Sequence, residues 1–80
     1  MFSKQLFGQR LKEIRSKNGE TQPELGAFLG IGKSRISEIE NGITSTKVEN
    51  IVMICEHYRI SADYLLGLSD DPEPNGVTRK

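Results

Sequence analysis

TQPELGAFLGIGKSRISEIENG, residues 21–42, holds two short helical patterns separated by a glycine corner. In the first, Leu25, Phe28 and Leu29 form an apolar stripe at helical spacing. Thr21 offers a capping hydroxyl, Pro23 suits the first turn and Glu24 faces the positive end of the helix dipole. Gly30 ends this helix. The second pattern covers Lys33–Glu40, where Ile36 and Ile39 point one way and the pair Asn41–Gly42 suits a left-handed exit. So short a helix is unstable alone in water, so Ile31, Ile36 and Ile39 must hold it on its neighbours. A connection this tight makes the helices cross steeply. That requires positive φ at the corner, met by Gly30, and a small residue at closest approach, met by Gly26. Gly26 costs about 1 kcal/mol relative to alanine in a helix interior, and tolerating that cost implies close contact.

With Ile36 and Ile39 inward, a rotation of about 100° per residue leaves Ser34, Ser37 and Glu38 on the opposite face, with Lys33 and Asn41 beside it. Arg35 and Glu40 lie at its borders. On a generic short helix such a surface is simply solvated, so its meaning depends on what surrounds it. Upstream, Phe7, Leu11 and Ile14 mark a helix over Lys4–Lys17, stopped by Asn18 and Gly19. Downstream, the hydroxyl-rich loop ITST leads to a helix from Lys47 to Tyr58, with Thr46 and Glu49 in capping-box register. Val48, Ile51, Val52, Cys55 and Tyr58 are expected along its inner face. Ser61 caps a last short helix, ADYLLG. No alternating strand pattern competes, so the expected fold class is all-α with five helices. The helix-turn-helix domain is expected over residues 1–68, and the charged, proline-punctuated stretch 69–80, SDDPEPNGVTRK, reads as a flexible tail or linker.

Eighty residues allow one domain, since single domains cluster at about 100 to 150. With 35% hydrophobic and 28% charged residues the chain is too apolar for disorder. Cys55 has no disulfide partner, no His/Cys cluster has metal-ligand spacing, and no cofactor is implied. Cys55 reads as a small core hydrophobe and His57 as a surface residue. MFSKQLFGQR lacks the apolar run of a signal peptide, and no segment approaches the roughly 18 to 20 apolar residues of a membrane span, so the expected compartment is the cytoplasm. Net charge is zero, which argues against a partner recognised by charge alone. Residues 1–42 carry +2 and residues 43–80 carry −2, an asymmetry of little weight. An enzyme fails on inventory: there is no Ser/His/Asp constellation, and GIGKS lacks the first glycine and the preceding strand of a phosphate loop.

The same stretch resembles the helix-turn-helix of the phage lambda and 434 repressor and Cro family, also called the xenobiotic-response-element (XRE) family. The similarity runs from FGQRLKEIR to SADYLLG, with Arg15, Thr21, Gln22, Glu24, Leu25, Gly30, Ile36, Ile39, Glu40, Asn41 and Gly42 at family spacings. Three positions depart from the pattern. Gly32 stands where Ser or Thr usually caps the reading helix, Gly26 replaces the usual alanine, and Thr46 occupies a common proline position.

The resemblance implies a sequence-specific DNA-binding transcriptional regulator, a repressor occupying a double-stranded operator through the major groove. Base reading then falls on Lys33, Ser34, Arg35, Ser37 and Glu38. Phosphate contact falls on Gln22, which also braces the reading helix, and on Asn41, Thr44, Ser45 and Lys47 of the following loop; Arg10 reads most simply as part of a hydrated helix face, and is the residue of that face expected to approach a DNA phosphate. Arg15 and Glu40 form a structural ion pair. Tyr64, Leu65, Leu66 and Leu68 exceed what closing a five-helix core needs, so some of them are expected to close it and the rest to supply a homodimer contact, as the family does with its last helix, placing two reading helices about 34 Å apart on one DNA face. Lys12 and Lys17 read as a hydrated helix face. Glu38 is the oddity: a groove carboxylate is repelled by phosphates unless it accepts from a cytosine amino group or pairs with a neighbouring cation. The rival reading keeps the fold as a protein-interaction module, such as an antitoxin or adaptor.

Overall fold

Five helices form, and their ends coincide with residues suited to starting or stopping a helix. The computed structural model describes residues 1–74, and within them the elements are α1 Lys4–Lys17, α2 Gln22–Leu29, α3 Lys33–Glu40, α4 Val48–Tyr58 and α5 Ala62–Leu66, with no strand. Residues 75–80 of the expected tail lie outside the described residues.

Ser3 caps α1 through its hydroxyl, which accepts from the Leu6 amide. Thr21 and Glu24 complete a reciprocal capping box on α2, each side chain accepting from the other's backbone N–H. Gly30 turns the chain at φ +76° between α2 and α3. At Gly26 an added Cβ would lie 2.6 Å from the Ile31 carbonyl oxygen. The expected close approach is therefore real, and it is made with the turn itself.

α1 is the spine of the fold, packing on both α3 and α5, while α2 packs on α3 and α4 on α5. Phe7, Leu11, Leu25, Ile36, Ile39, Ile54 and Leu65 are fully buried, with Leu29 and Ile60 beside them. Burying a side chain of this kind stabilises by about 1.5–3 kcal/mol. Ile36 and Ile39 thus give α3 the packing that it lacks as an isolated helix.

α4 differs from the expectation. Val48 and Val52 are exposed, and the helix buries Asn50 and Ile54 instead, with Ile51, Met53, Cys55 and Tyr58 partly covered. Because VENIVMICEHY is apolar around much of its circumference, several rotations satisfy a stripe, and the tertiary contacts choose among them. The expected capping box at Thr46 and Glu49 does not form either. Lys47 is the N-cap without a side-chain cap bond, and the Thr46 hydroxyl accepts from the Asn50 amide at 2.8 Å. Phe28, expected in the core, is 42% exposed and stacks on His57 with ring centroids 4.2 Å apart.

Candidate nucleic-acid interface

The anchor of the candidate site is a buried carboxylate. Arg15 of α1 donates from Nε to Glu40 Oε2 at 2.6 Å and from Nη2 to Glu40 Oε1 at 3.0 Å, a bidentate pair at the last residue of α3. Both side chains are withdrawn from solvent. The Glu40 hydrogen bond raises the Arg15 pKa further above its ordinary value, outweighing the opposing effect of burial. Gln22, the first residue of α2, donates from Nε2 to the same Glu40 Oε1 at 2.9 Å. One carboxylate therefore ties α1, α2 and α3 together, and charge-assisted bonds of this kind are stronger than neutral ones.

The C-terminal end of α3 also lies against α1 at Gly8, where an added Cβ would approach the Ile39 carbonyl oxygen to 2.1 Å and the Glu40 oxygen to 2.8 Å. No periodicity in the sequence marks this glycine. Only a small residue on the buried side of α1, one position after Phe7, hinted at it.

With its inner side so fixed, α3 turns Lys33, Ser34, Arg35 and Glu38 outward as exposed side chains, while Ser37 is half-buried. Gly32 is the N-cap, has no side-chain cap bond and lies in open space, which leaves the first amides of α3 accessible. Asn41 is exposed and donates from Nδ2 to the Ser37 hydroxyl at 3.4 Å. Gly42, at φ +76°, then sends the loop back across α1, where Gln5 lies within 3.0 Å of where a Cβ would stand. Thr44, Ser45 and Thr46 are half-buried and Lys47 is exposed. Arg35, Ser45, Thr46, Lys47, Asn50 and Ile31 line one open recess of about 340 Å³ beside the start of α3. The structure therefore gathers Arg35 of α3 with Ser45 and Lys47 of the loop. Among the described residues Lys33, Arg35 and Lys47 have no carboxylate partner.

Two sequence expectations require correction. Arg10 is taken up within the protein: it donates to the Tyr64 carbonyl at 2.5 Å, the Ser69 carbonyl at 2.9 Å and Asp70 at 3.0 Å, and its guanidinium lies 4.0 Å over the Tyr64 ring. It fastens the segment after α5 to α1 and is not available to a phosphate. Leu65 is fully buried in the core, because α5 must close the interior against α1, and so cannot be a dimer contact. Tyr64 is half-buried beneath Arg10, Leu66 packs partly on the core and Leu68 is 74% exposed.

A second cluster escaped the sequence reading. Glu20 accepts from the Tyr58 hydroxyl and lies 3.1 Å from His57 Nε2, while its backbone carbonyl accepts from Arg15 Nη1 at 2.6 Å. Burial pushes the Glu20 carboxyl up, but the bonds to Tyr58 and His57 outweigh it and hold the pKa below its ordinary value. Burial, reinforced by Glu20, pushes the Tyr58 phenol up. The pairing joins residues 37 and 38 positions apart, which no local pattern reveals.

Comparison with known proteins agrees with this geometry. A family model described as helix-turn-helix matches residues 11–65. The chain is 35% identical over 75 residues to the HTH-type transcriptional regulator YobD of Bacillus subtilis, covering 94% of this chain and 66% of that protein. It is also 35% identical over 69 residues to the HTH-type transcriptional regulator ImmR of the same organism, covering 86% of this chain and 54% of ImmR. The chain thus spans between about half and just under two thirds of these relatives' lengths. Among solved structures, the P22 c2 repressor protein in complex with a synthetic operator superimposes with a TM-score of 0.73 at 32% identity, covering 81% of this chain and 98% of that one. With a helix-turn-helix family match over residues 11–65 and a repressor-type structural neighbour, the chain belongs to the XRE-type, lambda-repressor-like helix-turn-helix family.

Proposed function

We propose that the protein is a sequence-specific DNA-binding transcriptional regulator that represses by occupying an operator. The observation that carries this reading is the placement of α3: its apolar side and its terminal Glu40 are buried and fixed, while Lys33, Ser34, Arg35 and Glu38 project outward with no intramolecular ion pair among the described residues. In this account α3 enters the major groove, where Lys33 and Arg35 suit guanine or phosphate, Ser34 and Ser37 either base edge, and Glu38 a cytosine amino group. Asn41, Thr44, Ser45 and Lys47 face the phosphates on the loop side, and Gln22 serves both as brace and as backbone contact. Zero net charge keeps sequence-independent affinity modest, so discrimination comes from the groove and from duplex shape.

A two-fold dimer completes the reading. Leu66 and Leu68 share an apolar recess with Met1 and Phe2, a surface suited to a second copy. The proposed site of action is the cytoplasm, in keeping with the absence, among the described residues, of any helix long and apolar enough to cross a membrane. No enzymatic role is proposed.

Selection of bound duplexes from a random pool, repeated with the Ser34→Ala/Glu38→Ala double variant, tests the assignment. The variant is expected to fold as the parent does and to enrich a different base preference. Identical enriched sequences would remove base reading from this face.

A further inference from the structure

We propose that Arg10 is a positioning residue for the dimer: it holds the segment after α5 so that Leu68 stands in the surface that meets a second copy. The inference rests on the two-fold reading given above. Leu68 is 74% exposed, yet the chain pins it from both sides. Its amide donates to the Asp63 carbonyl at 2.7 Å, across Gly67, which closes α5 at φ +87°. The carbonyl of the next residue, Ser69, accepts from Arg10 Nη1 at 2.9 Å, and Asp70 Oδ1 accepts from Nη2 at 3.0 Å. Further along, the Pro72 carbonyl accepts from the amide of Ser61, the N-cap of α5, at 2.9 Å. Residues 68–72 are thereby laid back along α5 and α1.

Arg10 is the hub of this arrangement. Its guanidinium also bonds the Tyr64 carbonyl and lies 4.0 Å over the Tyr64 ring, so the fork that reaches Ser69 and Asp70 has little freedom to swing. Fixing an exposed leucine costs conformational entropy and buries nothing within one chain; the return comes only when the side chain is covered. Leu68 lines a recess with Met1, Phe2 and Leu66, and none of the four has a charged side chain. Such a patch can meet its own image across a two-fold axis with no like charges opposed, and it offers a charged partner nothing to pair with. The occupant that fits is a second copy of this chain.

The test titrates the protein onto the duplex it enriches from a random pool, whole and cut to one half-site. Wild type is compared with Leu68→Ser, Arg10→Met, which keeps aliphatic cover over Tyr64 and removes every donor, and Arg10→Lys, which keeps the charge but not the planar fork. Urea unfolding checks each fold. The wild type is expected to enrich an inverted repeat and to fill its two half-sites cooperatively. Leu68→Ser and Arg10→Met should each lower that cooperativity by about tenfold while affinity for a single half-site stays at the wild-type value. Arg10→Lys should fall between, and it is the deciding variant if Arg10→Met does not unfold cooperatively. Wild-type cooperativity in the deciding variant, or an equal fall in half-site affinity, overturns the role of Arg10, and wild-type cooperativity for Leu68→Ser overturns the surface. Wild-type protein that fills half-sites independently overturns the dimer reading and leaves that of α3 standing; protein that binds no duplex overturns both.

Discussion

Glu40 does at one position what three helices need. Its carboxylate takes two bonds from Arg15 and one from Gln22, which leaves α3 little freedom to rotate. Removing it would strand a buried guanidinium, a change that costs about 3–5 kcal/mol when a buried pair loses one member. Glu20 works in the same way nearer the surface, and it makes stability depend on pH. Since its pKa in the folded protein lies below the ordinary 4.5, its contribution is complete above that value and is lost as pH falls through the folded pKa. Urea unfolding should therefore find Glu20→Gln less stable than the parent near pH 7, with the gap closing below about pH 4. A gap that stayed constant across this range would show that the carboxylate charge is not what His57 and Tyr58 respond to.

At the scale of elements, the crossing of α1 with α3 is set by Gly8, and that of α2 with the turn by Gly26. A methyl group at Gly8 would stand 2.1 Å from a backbone oxygen, which cannot rotate away as a side chain can. Gly8→Ala should cost about 1–3 kcal/mol by overpacking, lowering Tm by about 4–8 °C for each kcal/mol. Gly32 is the internal comparison: it occupies extended backbone in open space, and Gly32→Ser should hold or slightly raise Tm by supplying the missing cap. Calorimetry that showed equal losses for both would contradict the assignment of Gly8 as the contact point.

The same elements show what could be read from the chain. Caps, glycine stops and the paired isoleucines of α3 act within a few residues of each other, so all five helices and the corner were legible. Arg15 and Glu40 were named only through the family resemblance. The rotation of α4 was not legible because its apolar residues nearly encircle it, and Gly8 and Glu20 were missed because their partners lie far away in sequence. Arg10 was misassigned for the same reason: nothing local to α1 announces Ser69 and Asp70 as its partners.

For the whole molecule, zero net charge does not mean that every cation is paired. Arg10 and Arg15 pair with carboxylates of the same chain, whereas Lys33, Arg35 and Lys47 on α3 and its loop, like Lys4, Lys12, Lys17 and Arg59 elsewhere, have no acidic partner among the described residues. In the proposed reading, Lys33, Arg35 and Lys47 are the cations that meet phosphates or base edges, and the core and the Glu40 bonds hold α3 in place for them. The most direct test is an amide-resolved NMR titration of the protein with the duplex it enriches from a random pool. The account predicts that the largest shifts fall on Gln22, on residues 33–38 and on residues 41–47, with the outer face of α4 around Val48 and Val52 perturbed little beyond its first turn. Shifts centred on α4 or α5 that left residues 33–38 unmoved would contradict it.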